Sequence, residues 1–264
     1  MENAQIQSLS AYHPLITPGR DTGNGYYLSG RKFPSGDVEI SAVKLTHEDR
    51  LRRGGGAKRK NNNKSDMSEV VLNKSQWRAR KAVRHLCLSL QTDRLMTLTV
   101  RENLTDINKA WDCFKYFCKL MRWRYKDQWA YVAAPEFQKR GAVHFHLAIR
   151  GYFHANTVRR FWNRALGQMS GNIDITSPRK RGQNPKRIAN YISKYITKQD
   201  SSEFNRRRYS SGGNIEVPAP LHGWLALGVP AISVIGDAMR EMTRKSLREI
   251  WESEGYFDII FMST

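Results

Sequence analysis

His144 and His146 flank a phenylalanine in the run Gly141-Ala-Val-His-Phe-His-Leu-Ala-Ile-Arg150, and 45 residues beyond the second histidine the stretch Tyr191-Ile-Ser-Lys-Tyr-Ile-Thr-Lys198 repeats Tyr-x-x-Lys. On an extended chain two residues separated by one point to the same face, so both imidazoles can reach a single ion. Glu136, near the end of the preceding apolar segment, can turn a carboxylate to that face. Two nitrogens and one carboxylate leave positions open for phosphate oxygens or water, as catalysis requires. Mixed N/O ligation of this kind suits Mg²⁺ or Mn²⁺, and Zn²⁺ would bind as well. A free tyrosine, with a pKa of about 10, is a poor nucleophile unless the phosphate it attacks is polarised by metal and nearby cations. Lys194 and Lys198 are candidates for stabilising the phenolate or the charge gathered on phosphorus. The chemistry these residue types suit is attack of a phenol, Tyr191 or Tyr195, on a phosphodiester.

The elements that must position these groups follow from periodicity. Leu95-Met-Thr-Leu-Thr-Val100 predicts a strand. Residues 105–121 place Ile107, Ala110, Trp111, Phe114, Phe117, Cys118 and Met121 on one side of a helix that Thr105 or Asp106 caps. Residues 129–136 and 142–151 read as two strands joined by a short turn, an antiparallel hairpin. A second helix begins at Asn156 or Thr157 and buries Val158, Phe161 and Trp162; a short strand follows over 171–176. On the tyrosine segment, at about 100° per residue, the two phenols lie about 40° apart, with Ile188, Ile192 and Ile196 on the adjoining side. Residues 70–89 also have helical character. The order β-α-β-β-α-β-α predicts an α+β fold, a central antiparallel sheet with flanking helices of the ferredoxin-like or RNA-recognition type.

Three regions are expected. Residues 1–75 read as an N-terminal arm with a flexible basic linker, 76–217 as the core, and 218–264 as a C-terminal extension holding a helix over 230–250 and a strand over 256–261. Within 203–217 a basic turn and strand are placed to pair with the sheet edge.

Formal charge is +20, from 44 Lys and Arg against 24 Asp and Glu over 264 residues, far more than solubility needs. Such a field attracts phosphate polyanions. Arg159, Arg160, Arg164, Arg179, Lys180, Arg181, Lys186 and Arg187 flank the histidine and tyrosine segments and are expected to hold phosphates rather than read bases. Trp123, Trp129 and Tyr131 are candidates for stacking on unpaired bases, although strand aromatics are more often core. Cys87, Cys113 and Cys118 lack CxxC spacing and read as buried thiols of a reducing compartment. The chain carries neither a leader-like start nor about 18 uninterrupted apolar residues, so secretion and membrane spanning are not expected.

Taken together and in this order, the threonine-bearing strand 95–100, His144-Phe145-His146 and Tyr191 to Lys198 resemble the motifs of the HUH endonucleases, specifically the rolling-circle replication initiators of single-stranded DNA phages and related elements. The resemblance covers about residues 92–200. It implies nicking of single-stranded origin DNA, a 5′-phosphotyrosyl intermediate and a free 3′-OH for host polymerase. It also implies Glu136 as third metal ligand, and two tyrosines acting in turn to cut and then rejoin. No GxxxxGK[ST] sequence is present, so unwinding is expected from a host helicase in the host cytoplasm. A transposase or relaxase of the same chemistry, and a non-catalytic basic nucleic-acid-binding module, are the competing readings.

Overall fold

The computed structural model describes residues 8–18, 23–46, 69–138, 140–176, 184–198, 208–253 and 259–264. In chain order the strands and helices are β1 (Gly25–Lys32), β2 (Val38–Leu45), α1 (Glu69–Leu90), β3 (Arg94–Val100), α2 (Ile107–Tyr125), β4 (Tyr131–Phe137), β5 (Val143–Ile149), α3 (Ala155–Leu166), β6 (Gly171–Ile175), α4 (Pro185–Lys198), β7 (Ser210–Gly212), β8 (Leu221–Ala226), α5 (Ala231–Met242), β9 (Glu249–Ser253) and β10 (Ile259–Ser263). They divide into two compact units, Lys64–Val217 and Met1–Asn63 with Pro218–Thr264. None of the described helices is long and apolar enough to cross a membrane.

The Lys64–Val217 unit is built on an antiparallel sheet of order β6-β3-β5-β4-β7. Period-two alternation sorts its residues onto two faces. Met96, Leu98, Val100, Ala133, Phe145, Leu147 and Ile149 face the helices α2 and α3, where they meet Trp111, Phe114, Phe117, Phe161 and Trp162. Leu95, Val132, Ala134 and Ala148 face the opposite way and pack against α1 and α4. The βαββαβ order with both crossover helices on one face is the predicted ferredoxin-like arrangement. The edge strand expected within 203–217 is β7, which pairs with β4.

Local chemistry fixes the helix ends. Asp106 caps α2, its carboxylate accepting from the backbone N–H groups of Asn108 at 2.8 Å and Lys109 at 3.3 Å. Asn184 accepts from the backbone N–H of Arg187 at 2.9 Å, and Pro185 stands at the first position of α4, where its missing N–H is no loss. Burial pushes the thiols of Cys87 and Cys118 up to about 12, so both are inert at neutral pH.

Trp162 is fully buried and donates its indole N–H to the carbonyl of Thr99 at 2.8 Å. Gly171 leaves the space for that contact. A Cβ there would stand 2.5 Å from both the Thr99 oxygen and Trp162 Nε1, and 2.6 Å from Leu166 Cδ1. Gly171→Ala is therefore expected to destabilise this unit by about 1–3 kcal/mol in urea unfolding; a change below about 0.5 kcal/mol, the level of an ordinary surface substitution, would contradict that packing.

The other unit differs from the sequence expectation. Strands from the segment read as an arm and from the segment read as an extension form one antiparallel sheet, β8-β1-β2-β10-β9, covered by α5. The single central sheet of the sequence reading is thus one of two. The expected helix over 230–250 ends at Met242, Thr243 turning to extended backbone, and its remainder supplies β9. Residues 256–258 of the expected last strand lie outside the described residues, and β10 runs from Ile259. The C-terminus is tied in by Val38, whose N–H donates to Thr264 Oγ1 at 3.0 Å and whose carbonyl accepts from the Thr264 N–H at 3.1 Å.

Candidate active site

The α1/α4 face of the Lys64–Val217 sheet carries the polar cluster. Glu136 stands directly opposite His144 in the β4–β5 register, and His146 lies between Thr97 of β3 and Ala134 of β4. Ala134 contributes only a methyl, which leaves the diagonal open. Across it Glu136 Oε2 lies 2.7 Å from His146 Nε2. The other ring nitrogen of His146, Nδ1, is 3.3 Å from Thr97 Oγ1. With Nε2 turned to the carboxylate, Nδ1–H donates to the threonine, the arrangement by which metal-ligating histidines are commonly oriented.

His144 is buried, and its Nε2 has no hydrogen-bond partner. Such an atom costs about 1–3 kcal/mol unless something satisfies it. Burial, then His146 and Arg140, lower its pKa against the opposing pull of Glu136, so the ring is held neutral, the form that binds metal. The donor set and the orphaned nitrogen fit a divalent cation. Among the described residues no three His, Cys, Asp or Glu side chains stand as a closed metal cage: Glu136 and His146 touch, and His144 joins them by strand register.

Helix α4 lies over this cluster. Ile188, Ala189, Ile192 and Ile196 bury its inner side against the sheet and α1, turning both phenols toward the histidines. The ring of Tyr195 stacks on His146 with centroids 4.0 Å apart and planes within 4°. Tyr191 meets the same imidazole edge-on at 5.8 Å and Tyr195 at 5.3 Å. The two tyrosines are not equivalent. Tyr195 is only 8% exposed, and burial, its hydrogen bond to Tyr191 and the charge of Glu136 raise its pKa far above the ordinary phenol range. Tyr191 is partly exposed, and Lys194 lies one turn beyond it on the exposed side of α4. The Lys198 side chain lies outside the described residues.

The basic residues expected to flank the site divide. Lys186 and Arg187 occupy the first turn of α4 itself. Arg159, Arg160 and Arg164 do not flank the phenols: α3 covers the opposite face of the sheet, and Arg159 is engaged by Asn172 at 3.2 Å and Asn156 at 2.9 Å. Arg179, Lys180 and Arg181 lie outside the described residues. Trp129 and Tyr131 are core residues, whereas Trp123 is exposed on α2. Sequence reasoning gave Thr97 no role, although strand alternation alone puts it on the histidine face.

Residues 93–200 match the family model for the replication-associated proteins of the ORF2 and gene-2 protein type. That span starts just before β3 and contains Glu136, His144, His146, Tyr191 and Tyr195. Nothing matches among curated proteins or among solved structures.

Proposed function

We propose that the chain is a metal-dependent HUH endonuclease that nicks and rejoins single-stranded DNA at a replication origin to start and finish rolling-circle replication. The observation that carries this reading is the contact of one imidazole, His146, with a carboxylate at 2.7 Å and with two phenols at 4.0 and 5.8 Å between ring centroids. The family match over the same residues favours a replication role over a transposase or relaxase. A buried, unpartnered imidazole nitrogen and a phenol pair beside it weigh against a purely binding module.

Glu136, His144 and His146 would hold Mg²⁺ or Mn²⁺, which when bound supplies positive charge to the non-bridging oxygens of the scissile phosphate. Tyr191 makes the first attack. Its phenolic oxygen bonds to phosphorus, its proton passes to solvent, the P–O3′ bond breaks and the 3′ oxygen takes up a proton. One phosphodiester is exchanged for another, so the step needs no external energy source. Lys194 faces the charge that builds on the phosphate, and Lys198 is the corresponding residue one turn beyond Tyr195. A second transfer returns the 5′-phosphate to a 3′-OH, and Tyr195 is the second phenol available for it. On this reading the partners are the origin strand and, in the host cytoplasm, a host helicase and polymerase.

The test is incubation of the protein with a randomised single-stranded DNA pool and Mn²⁺, followed by denaturing electrophoresis. A covalent adduct that chelation prevents supports the reading. DNA binding without any adduct across Mg²⁺, Mn²⁺ and Zn²⁺ would replace it with the binding module. Mapping the cut in the genome of origin separates initiator from transposase and relaxase.

A further inference from the structure

Helix α1 carries five basic residues, Lys74, Arg78, Arg80, Lys81 and Arg84, against one acid, Glu69. Its inner stripe, Ala79, Val83, Leu86 and Cys87, packs on the sheet and α4 in the same apolar cluster as Tyr195. At about 100° per residue Trp77, Lys81 and Arg84 fall on the reverse side. Trp77 is 50% exposed there, with Lys81 Nζ 5.1 Å from its ring centroid. Arg78 and Arg80 beside it are exposed. A large aromatic left half in water gains nothing for the core, yet an indole face bordered by cations is what a nucleotide needs: a surface for the base and charge for its phosphate.

We infer that the outer side of α1 is a binding surface for single-stranded DNA, on which a base stacks against Trp77 while Arg78, Arg80 and Lys81 neutralise the neighbouring phosphates. This rests on the proposed nicking function and adds to it the element that grips the strand. The surface lies in the helical layer that holds the phenols, whereas the exposed aromatic of α2, Trp123, and the arginines of α3 lie across the sheet from them. The sequence-tolerant character of stacking and phosphate contacts suits a holding surface rather than a reader of the origin.

The experiment is fluorescence anisotropy of a labelled oligothymidylate, in EDTA, with the full chain carrying Tyr191→Phe and Tyr195→Phe so that no chemistry occurs. Trp77→Ala is expected to weaken binding about tenfold, within the range of one lost base stack. Arg78→Ala with Arg80→Ala is expected to reduce the salt slope by about 1.4, at about 0.7 per single-strand phosphate contact. Trp123→Ala is expected to bind as the parent does, and a blunt duplex to bind more weakly than the single strand. Unchanged affinity and slope in the α1 variants, with thermal unfolding as in the parent, overturns the inference. So does a loss confined to Trp123→Ala, or equal affinity for duplex. The two readings fail separately: dependence on α1 without any adduct from the unsubstituted chain removes the nicking function alone, and adduct formation with indifferent α1 variants removes this surface alone.

Discussion

Tyr191→Phe lowers the rate of first adduct formation by a factor on the order of 10³ or more, the scale of losing a nucleophile, while Tyr195→Phe stays within a few-fold of the parent. The asymmetry follows from geometry. Phenylalanine at 195 keeps the ring stacked 4.0 Å over His146 and loses only a hydroxyl whose proton is tightly held by burial and by its bond to Tyr191. The Tyr191 phenol is the one that incoming phosphate can reach. Tyr195→Ala is a different substitution, because it also removes the ring that supports His146, and it is expected to slow the first step where Tyr195→Phe does not. Single-turnover rates on a preselected oligonucleotide check all three. Equal losses in the two phenylalanine variants would mean that the phenols are interchangeable in the first step. A large loss in Tyr195→Phe alone would reverse the assignment.

His146→Ala is expected to cost about three orders of magnitude in the same assay, the equivalent of several kcal/mol of charge stabilisation at the phosphate. The substitution also deprives Glu136 of its partner and Tyr195 of its stacking platform. Binding measured in EDTA separates these effects from unfolding: the variant should still hold single-stranded DNA, and its loss should lie in Mn²⁺ affinity and in chemistry. Thr97→Val, which removes only the acceptor for His146 Nδ1–H, is expected to weaken Mn²⁺ binding by about tenfold or more, as loss of an orienting partner does. Retention of metal affinity and rate in His146→Ala would show that the imidazole pair does not hold the cation.

The site was legible in the sequence because its residues sit on elements whose periods are strict. Spacing by two put His144 and His146 on one strand face, and spacing by four put Tyr191 and Tyr195 on one helix side; register supplied Glu136. What was not legible is the side of the sheet on which each helix lies. Exposed arginines on α3 look alike whichever face that helix covers. Crossover handedness holds the signal that was missed. In a βαββαβ order both crossovers are right-handed, which sends α2 and α3 to the same face and leaves the other to α4. The second sheet was hidden for another reason. Tyr26, Leu28 and Gly30 alternate with Ser29 and Tyr27, a weak pattern, and β8, one of the two partners of β1, lies roughly 190 residues away in the chain. A strand whose apolar side is completed only by such distant residues looks like an arm when read locally.

The assignment of the nucleophile can be read from the covalent adduct itself. Trypsin cleaves after Arg187, Lys194 and Lys198, which places Tyr191 in the peptide Ile188–Lys194 and Tyr195 in the peptide Tyr195–Lys198. Nuclease trimming of an adduct trapped with Mn²⁺, followed by peptide mass mapping, then tells the two phenols apart. A nucleotide mass carried on Ile188–Lys194 is the expected result. A covalent nucleotide on a peptide outside residues 188–198 would contradict the account, since the histidine pair and these phenols would not then converge on the phosphate that is cut.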